Sequence, residues 1–158
     1  MFKTLNLKKL AISLLIPFGT AFFSEMLTKN AMEDYGNLAT PPLSPPGAVF
    51  PAVWAVLFLL MGLALYGVST ASAPQPQKSL GYLIFGIQLF FNFAWTLFFF
   101  LFKMYTFSAV WLGILILLII ANILVFGRVK KLSAYMLIPY LLWCLFALYL
   151  NIGVAVLN

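Results

Sequence analysis

Gln88, Asn92 and Trp95 stand at i, i+4 and i+7 in the chain, the spacing that places three side chains on one face of a helix. Two carboxamides and an indole, in a stretch otherwise made of Leu, Phe and Ala, are poor acids and bases but good hydrogen-bonding groups. Two readings of this face stand: hydrogen bonding between helices, or a polar anchor in a ligand pocket. Trp143, Ala147 and Leu150 share another helical face, and so do Trp54 and Phe58. The usual catalytic constellations are missing. The 158 residues include no His, which removes Ser-His and Cys-His nucleophiles, the common zinc sites and imidazole-ligated haem. The single Cys144 sits in an apolar run and reads as a small buried hydrophobe rather than half of a disulfide. Glu25, Glu33 and Asp34 are the only acidic side chains, so paired carboxylates for proton transfer are poorly supplied. No metal site and no obligatory cofactor are expected.

The elements that carry these residues follow from composition. Hydrophobic residues make up 65% of the chain and charged residues 8%, against roughly 45–50% and about 25% in a typical soluble domain. So much apolar surface cannot be hidden inside a domain this small, and lipid is the expected partner. A helical span takes about 20 apolar residues. The hydrophobic runs predict an all-α bundle of five transmembrane helices, over about 10–27, 48–70, 80–101, 106–126 and 132–157, in a single domain covering 1–158. The first run follows a basic start, as a signal peptide does, but it is long for one and shows no small-residue cleavage site; it is read as a retained span. The net charge of +6 is spread between the hydrophobic stretches, which argues for topology signals and against a nucleic-acid partner. No internal repeat is visible, and five spans do not divide into two inverted halves.

Basic residues also set the expected direction. Lys3, Lys8, Lys9, Lys78, Arg128, Lys130 and Lys131 fall on one side, and Lys29 and Lys103 on the other with the three acids. The bias predicts a cytoplasmic N-terminus and an outside C-terminus in a bacterial-type cell membrane. Trp54 and Trp95 then lie about 9 Å below the outer surface at ~1.5 Å per residue, and Trp143 lies deeper. Together with Gln88 and Asn92 they describe an aromatic cavity opening outward, enclosed by the second, third and fifth spans. Trp111, near the end of the fourth span, fits an interfacial belt instead. Above the cavity the loop 28–47 contains Pro41-Pro-Leu-Ser-Pro-Pro46-Gly47. Its prolines stiffen it toward extended geometry, as either a plain connector or a lid.

These segments resemble the TspO/MBR family, the tryptophan-rich sensory proteins and translocator (peripheral benzodiazepine receptor) proteins. The resemblance rests on Pro41-Pro-Leu-Ser-Pro-Pro-Gly47, Val49-Phe-Pro-Ala-Val-Trp54 and Leu59-Leu-Met-Gly62. It continues in Gln88-x3-Asn92-x2-Trp95 with Phe98-Phe99, and in Leu137-Ile-Pro-Tyr-Leu-Leu-Trp143 with Phe146-Ala147 and Leu150-Asn151. It covers about Thr28 to Asn158 and is weakest in the fourth span. Three positions depart from it: Asp34 stands where a Trp often precedes the loop tyrosine, Thr96-Leu97 replaces a Pro after Trp95, and Phe100 stands for a Gly.

The resemblance implies a five-helix bundle, a homodimer, that binds porphyrin or haem as ligand and also isoquinoline- or benzodiazepine-type compounds. The ligand-binding positions it suggests, with their neighbours on the same faces, are Tyr35, Pro45, Trp54, Phe58, Gln88, Asn92, Trp95, Phe99, Trp143, Phe146, Ala147 and Leu150. It also implies an alternative activity, light-dependent porphyrin degradation with Trp54 and Trp143 as catalytic positions. Transport is the third alternative, but Glu25 sits at the outer end of the first span rather than deep in the membrane. Sterol is an unlikely partner: no basic residue follows Tyr149, and the inverted pattern over Lys131, Tyr135 and Leu137 is weak.

Overall fold

Helix formation starts at Asn6, whose side chain accepts the Lys9 N–H at 3.1 Å and caps the first turn. The computed structural model describes residues 4–158, so Lys3, counted above with the basic residues, lies outside them. The elements are α1 (Leu7–Thr28), the short α2 (Met32–Tyr35), α3 (Val49–Thr70), α4 (Gln75–Thr96), α5 (Tyr105–Val129) and α6 (Lys131–Leu157). A π-helical turn, Leu97–Leu101, prolongs α4. There is no strand among the described residues. All elements but α2 are long and apolar enough to cross a membrane, and the protein is an integral, multi-pass membrane protein of all-α class. Helical spans satisfy their backbone groups internally, as hydrocarbon requires; Pro17 in α1 and Pro139 in α6 each omit one such bond.

Three boundaries differ from the hydrophobic pattern. α1 begins at Leu7 rather than Leu10, behind the Asn6 cap. α4 begins at Gln75 rather than Leu80, because Pro74 and Pro76 preset its first turn and its polar start extends past the apolar run. The expected link Gly127–Lys131 shrinks to Lys130 alone, whose extended backbone (φ −154°, ψ 115°) turns α5 directly into α6. Hydropathy falls at the charged residues there, but the helical hydrogen bonds continue through them.

α5 packs along both α4 and α6, and α3 lies against α1 and α6. Met61, Val68, Leu112, Leu115, Ile119, Phe126 and Leu137 are fully buried between them. Leu15, Leu83, Phe90, Val110, Leu117 and Leu142 point outward, where lipid is the solvent. α1 crosses α3 at Gly62: a Cβ there would lie 2.6 Å from Leu14 Cδ2 and 3.1 Å from the Ser13 carbonyl oxygen, so a larger residue would displace the Leu14 side chain and crowd the α1 backbone. Toward the end of the bundle that carries the 28–48 loop, space opens between the helices.

That loop is tied down along α6. The Pro41 ring occupies the place where Gly153 would carry a Cβ. The Tyr149 hydroxyl donates to the Pro42 carbonyl at 2.6 Å, and the Asn158 side chain both accepts from Ala39 N (3.3 Å) and donates to Ala39 O (2.8 Å). Leu43 takes a left-handed conformation (φ 70°), which lets Ser44 Oγ donate back to the Pro41 carbonyl at 2.7 Å.

Candidate functional site

At the loop end the bundle encloses a cavity of about 420 Å³. A chain of aromatic rings runs round it. Trp143 of α6 meets Phe50 (centroids 5.9 Å), Phe50 meets Tyr35 of α2 (5.8 Å), and Tyr35 meets Phe99 (6.0 Å). Phe99 stacks on Trp95 (5.6 Å), Trp95 faces Trp54 of α3 (6.4 Å), and Trp54 packs on Phe58 (5.7 Å). Such walls present π-faces at low conformational cost. The π-helical turn helps to build them. It widens the turn after Trp95, so Phe98 packs on Trp111 and Phe107 of α5 while Phe99 and Phe100 both line the cavity.

Polar support lies behind the rings. Asn92 lines the cavity, and its Nδ2 donates to the Tyr140 hydroxyl at 2.9 Å; that hydroxyl donates to Gln88 Oε1 at 2.8 Å. Gln88 and Tyr140 are fully buried and lie outside the lining. The two readings of the amide face are therefore not exclusive: one relay bonds α4 to α6 and orients a cavity side chain. A second relay holds Trp95, whose Nε1–H donates to Asn151 Oδ1 at 3.0 Å. Asn151 Oδ1 also accepts from Ser108 at 3.1 Å, and its Nδ2 donates to the Tyr105 carbonyl at 2.8 Å. Trp143 and Ser24 line the same cavity, and their Nε1 and Oγ atoms are buried with no hydrogen-bond partner among the described residues. In hydrocarbon such groups are costly unless something else bonds them.

Tyr35 reaches the cavity from α2, and α2 is pinned by Asp34, whose carboxylate meets Lys103 Nζ at 3.0 Å. The hydrogen bond to Asp34, then its negative charge, hold the exposed Lys103 ammonium above its usual pKa. Asp34 thus does in this chain a task that a Trp at that position does not. Partial burial pushes the Tyr35 phenol upward as well, so at neutral pH it remains a neutral O–H.

The structure gathers Tyr35, Trp54, Phe58, Asn92, Trp95, Phe99, Trp143, Ala147 and Leu150 in the cavity lining. Three other expected positions lie elsewhere. Gln88 sits behind Asn92, one relay step from the lining. Phe146 faces a separate apolar groove between α3 and α6, beyond Trp143. Pro45 follows the segment that docks on α6, and it is Tyr35 rather than the proline run that reaches over the cavity. Trp111, expected at an interfacial belt, is half-buried; it stacks on Phe91 at 4.1 Å and donates Nε1–H to the Phe91 carbonyl at 2.9 Å.

Sequence reasoning missed a whole wall. α1 contributes Phe18, Ala21, Phe22, Ser24, Glu25 and Thr28 to the lining, where only three helices were expected. The spacing of Phe18, Ala21, Phe22 and Glu25 carried that signal, masked by an evenly apolar helix. Tyr140 was missed too, although it stands three residues before Trp143 on the face already recognised, and a membrane-buried phenol needs a partner.

Comparison with known proteins agrees with this architecture. The TspO/MBR family model matches residues 13–157. The chain belongs to the TspO/MBR family. It is 36% identical to the Tryptophan-rich protein TspO of Chlorobaculum tepidum over 149 residues, 94% of each chain. It is 32% identical to Protein CrtK of Rhodobacter capsulatus over 124 residues, 78% of each. The Translocator protein homolog of Schizosaccharomyces pombe is 31% identical over 129 residues, 80% of this chain and 78% of that one. Membership extends over α1, which lay mostly outside the motifs quoted above, and fits a cavity to which α1 contributes.

Proposed function

We propose that the protein is a membrane receptor for planar aromatic ligands of the tetrapyrrole class, of porphyrin or haem type. The observation that carries this is the cavity itself: about 420 Å³, ringed by Trp54, Trp95 and Trp143, with one oriented amide, Asn92. Small-molecule sites are concave, largely apolar and equipped with a few placed polar groups. A flat macrocycle would stack between the indoles and leave its carboxylates toward the loop end. The same slot suits isoquinoline- and benzodiazepine-type compounds. The basic residues Lys8, Lys9, Lys78, Arg128, Lys130 and Lys131 lie at the opposite end of the bundle from Lys29 and Lys103, which supports a cytoplasmic N-terminus and a cavity facing the outer leaflet. Titration of the purified protein with protoporphyrin tests the reading. Saturable quenching of tryptophan emission, weakened at least tenfold by Asn92→Ala, is expected; quenching that is linear in ligand and indifferent to Asn92 refutes it.

One observation favours a second activity. Trp54 and Trp143 both line the cavity, so two oxidisable indoles would touch a bound, photoexcitable macrocycle. Illumination should then yield a product absorbance band that Trp54→Phe and Trp143→Phe lack; simple bleaching shared by all three proteins excludes it. We also infer a homodimer through α4, where Gly86 leaves open space on a face shared with the exposed Leu83, Ile87 and Phe90.

A further inference from the structure

Glu25 belongs to the cavity, not merely to the membrane interface. Phe18, Ala21, Phe22, Glu25 and Thr28 fall at i, i+3, i+4, i+7 and i+10, and all five line the cavity. Glu25 is therefore on the helical face of α1 that lines the space together with the three indoles. It is the only charged side chain among the lining residues. The other charges at this end of the bundle, Lys29, Glu33, Asp34 and Lys103, do not line the space. Among the described residues the one ion pair is Lys103 with Asp34, so Glu25 has no cationic partner in the protein, Lys29 one turn on included. Glu25 is exposed, one turn from the loop end of α1, where a ligand entering the cavity would meet it.

What would partner it follows from the surroundings. A carboxylate at the mouth of an indole-lined space repels anions. It attracts cations, which the faces of Trp54, Trp95 and Trp143 also attract through their quadrupoles; aromatic cages bind substituted ammonium groups in this way. We infer that Glu25 sets the charge preference of the cavity, which takes aromatic ligands ending in a protonated or quaternary amine in preference to the same body ending in carboxylates. This rests on the reading of the cavity as a ligand site and ranks ligands within it by charge: a carboxylate-ended porphyrin still binds through its ring, but less tightly than an amine-ended one of the same shape. The ring system supplies most of the affinity, and the charge at the mouth decides between ligands of one shape.

The test uses one macrocycle with three ends: protoporphyrin, its neutral dimethyl ester, and its diamide bearing two dimethylaminopropyl groups. Each is titrated by tryptophan quenching into the full chain in phosphatidylcholine nanodiscs, whose zwitterionic lipid does not bias partition by net charge. Wild type should bind the diamide tightest and the diacid weakest. Glu25→Gln should shrink the ratio of diamide to diacid affinity about tenfold, the size expected of one charge acting over several ångströms at partial exposure. Glu25→Lys should reverse the order, which guards against a folding defect, since a damaged cavity weakens all three ligands together. An affinity ratio unchanged across the three proteins, with saturable binding throughout, overturns the role of Glu25 and leaves the ligand site standing. Absence of saturable quenching by any of the three ligands in wild type overturns both.

Discussion

Tyr140→Phe removes a single oxygen from the fully buried relay that joins Asn92 to Gln88. Two hydrogen bonds disappear, leaving Asn92 Nδ2 without its acceptor and Gln88 Oε1 without its donor. A buried polar group stripped of its partner typically costs about 1–3 kcal/mol. Interhelical hydrogen bonds in membranes measure lower, averaging roughly 0.6 kcal/mol, because the released groups find other partners. Here a substitute exists: Gln88 and Asn92 are one turn apart on α4, close enough for a direct amide–amide bond. The expected loss of stability is therefore about 1 kcal/mol, below the sum of two orphaned groups. The effect on ligand is larger in proportion, because an Asn92 rebonded to Gln88 is turned away from the cavity. We expect protoporphyrin affinity to fall about tenfold, which corresponds to roughly 1.4 kcal/mol. Denaturant titration in mixed micelles reads the first quantity and tryptophan quenching the second. Gln88→Leu, outside the lining, should weaken binding in the same direction. If Tyr140→Phe and Gln88→Leu both bind as wild type does while Asn92→Ala does not, Asn92 acts alone and the relay argument is wrong.

Other expectations follow from single contacts. Trp143→Phe keeps a ring but removes indole surface from the cavity wall, so protoporphyrin affinity read by tryptophan quenching should drop about threefold to tenfold. Gly153→Leu fills the place of the Pro41 ring and should free the loop; limited proteolysis within 36–47 should become much faster, with helical content unchanged. Gly86→Phe adds bulk to the open face of α4 and should reduce the dimer fraction seen by light scattering in detergent, whereas the same change at Gly113 on α5 should not.

The fold was legible because hydropathy acts at the scale of a whole span; helix ends moved where polar or charged residues continue the helix beyond the apolar run, at Leu7 behind the Asn6 cap, at Gln75 and at Lys130. On α4 and α6 the site was legible because polar groups in an apolar run have few tolerable orientations. Asn92, Trp95, Trp143 and Ala147 could be placed on cavity-facing sides before any contact was known. α1 gave no such contrast. Its cavity residues Phe18, Ala21 and Phe22 are as apolar as the lipid-facing Leu15 and Phe23, so periodicity could not separate the two faces. The docking of the loop was not legible for another reason. Proline content reports stiffness, not docking, and the docking partner is Gly153, more than a hundred residues away.

The substitution of Thr96-Leu97 for a family proline bears on the site through backbone geometry. Proline would interrupt the hydrogen-bond ladder after Trp95; without it the chain widens into the π-helical turn Leu97–Leu101, closed by Phe102 N–H to Leu97 O at 2.9 Å. A π turn rotates successive residues less than an α turn does, and Phe99 and Phe100 consequently share the cavity side, each within 6.0 Å of the Tyr35 ring. We expect the two positions to be coupled: the π-helical turn that begins at Leu97 seats Phe100, which stands where the resemblance has a glycine, with its ring against Tyr35. Phe100→Gly should enlarge the cavity at this point and raise affinity for bulkier macrocycles relative to smaller bicyclic ligands. Restoring the proline alone, as Leu97→Pro, should displace Phe100 and disturb Tyr35 without giving that gain. If the single changes behave identically and the double change is simply their sum, the two positions are independent and the coupling does not exist.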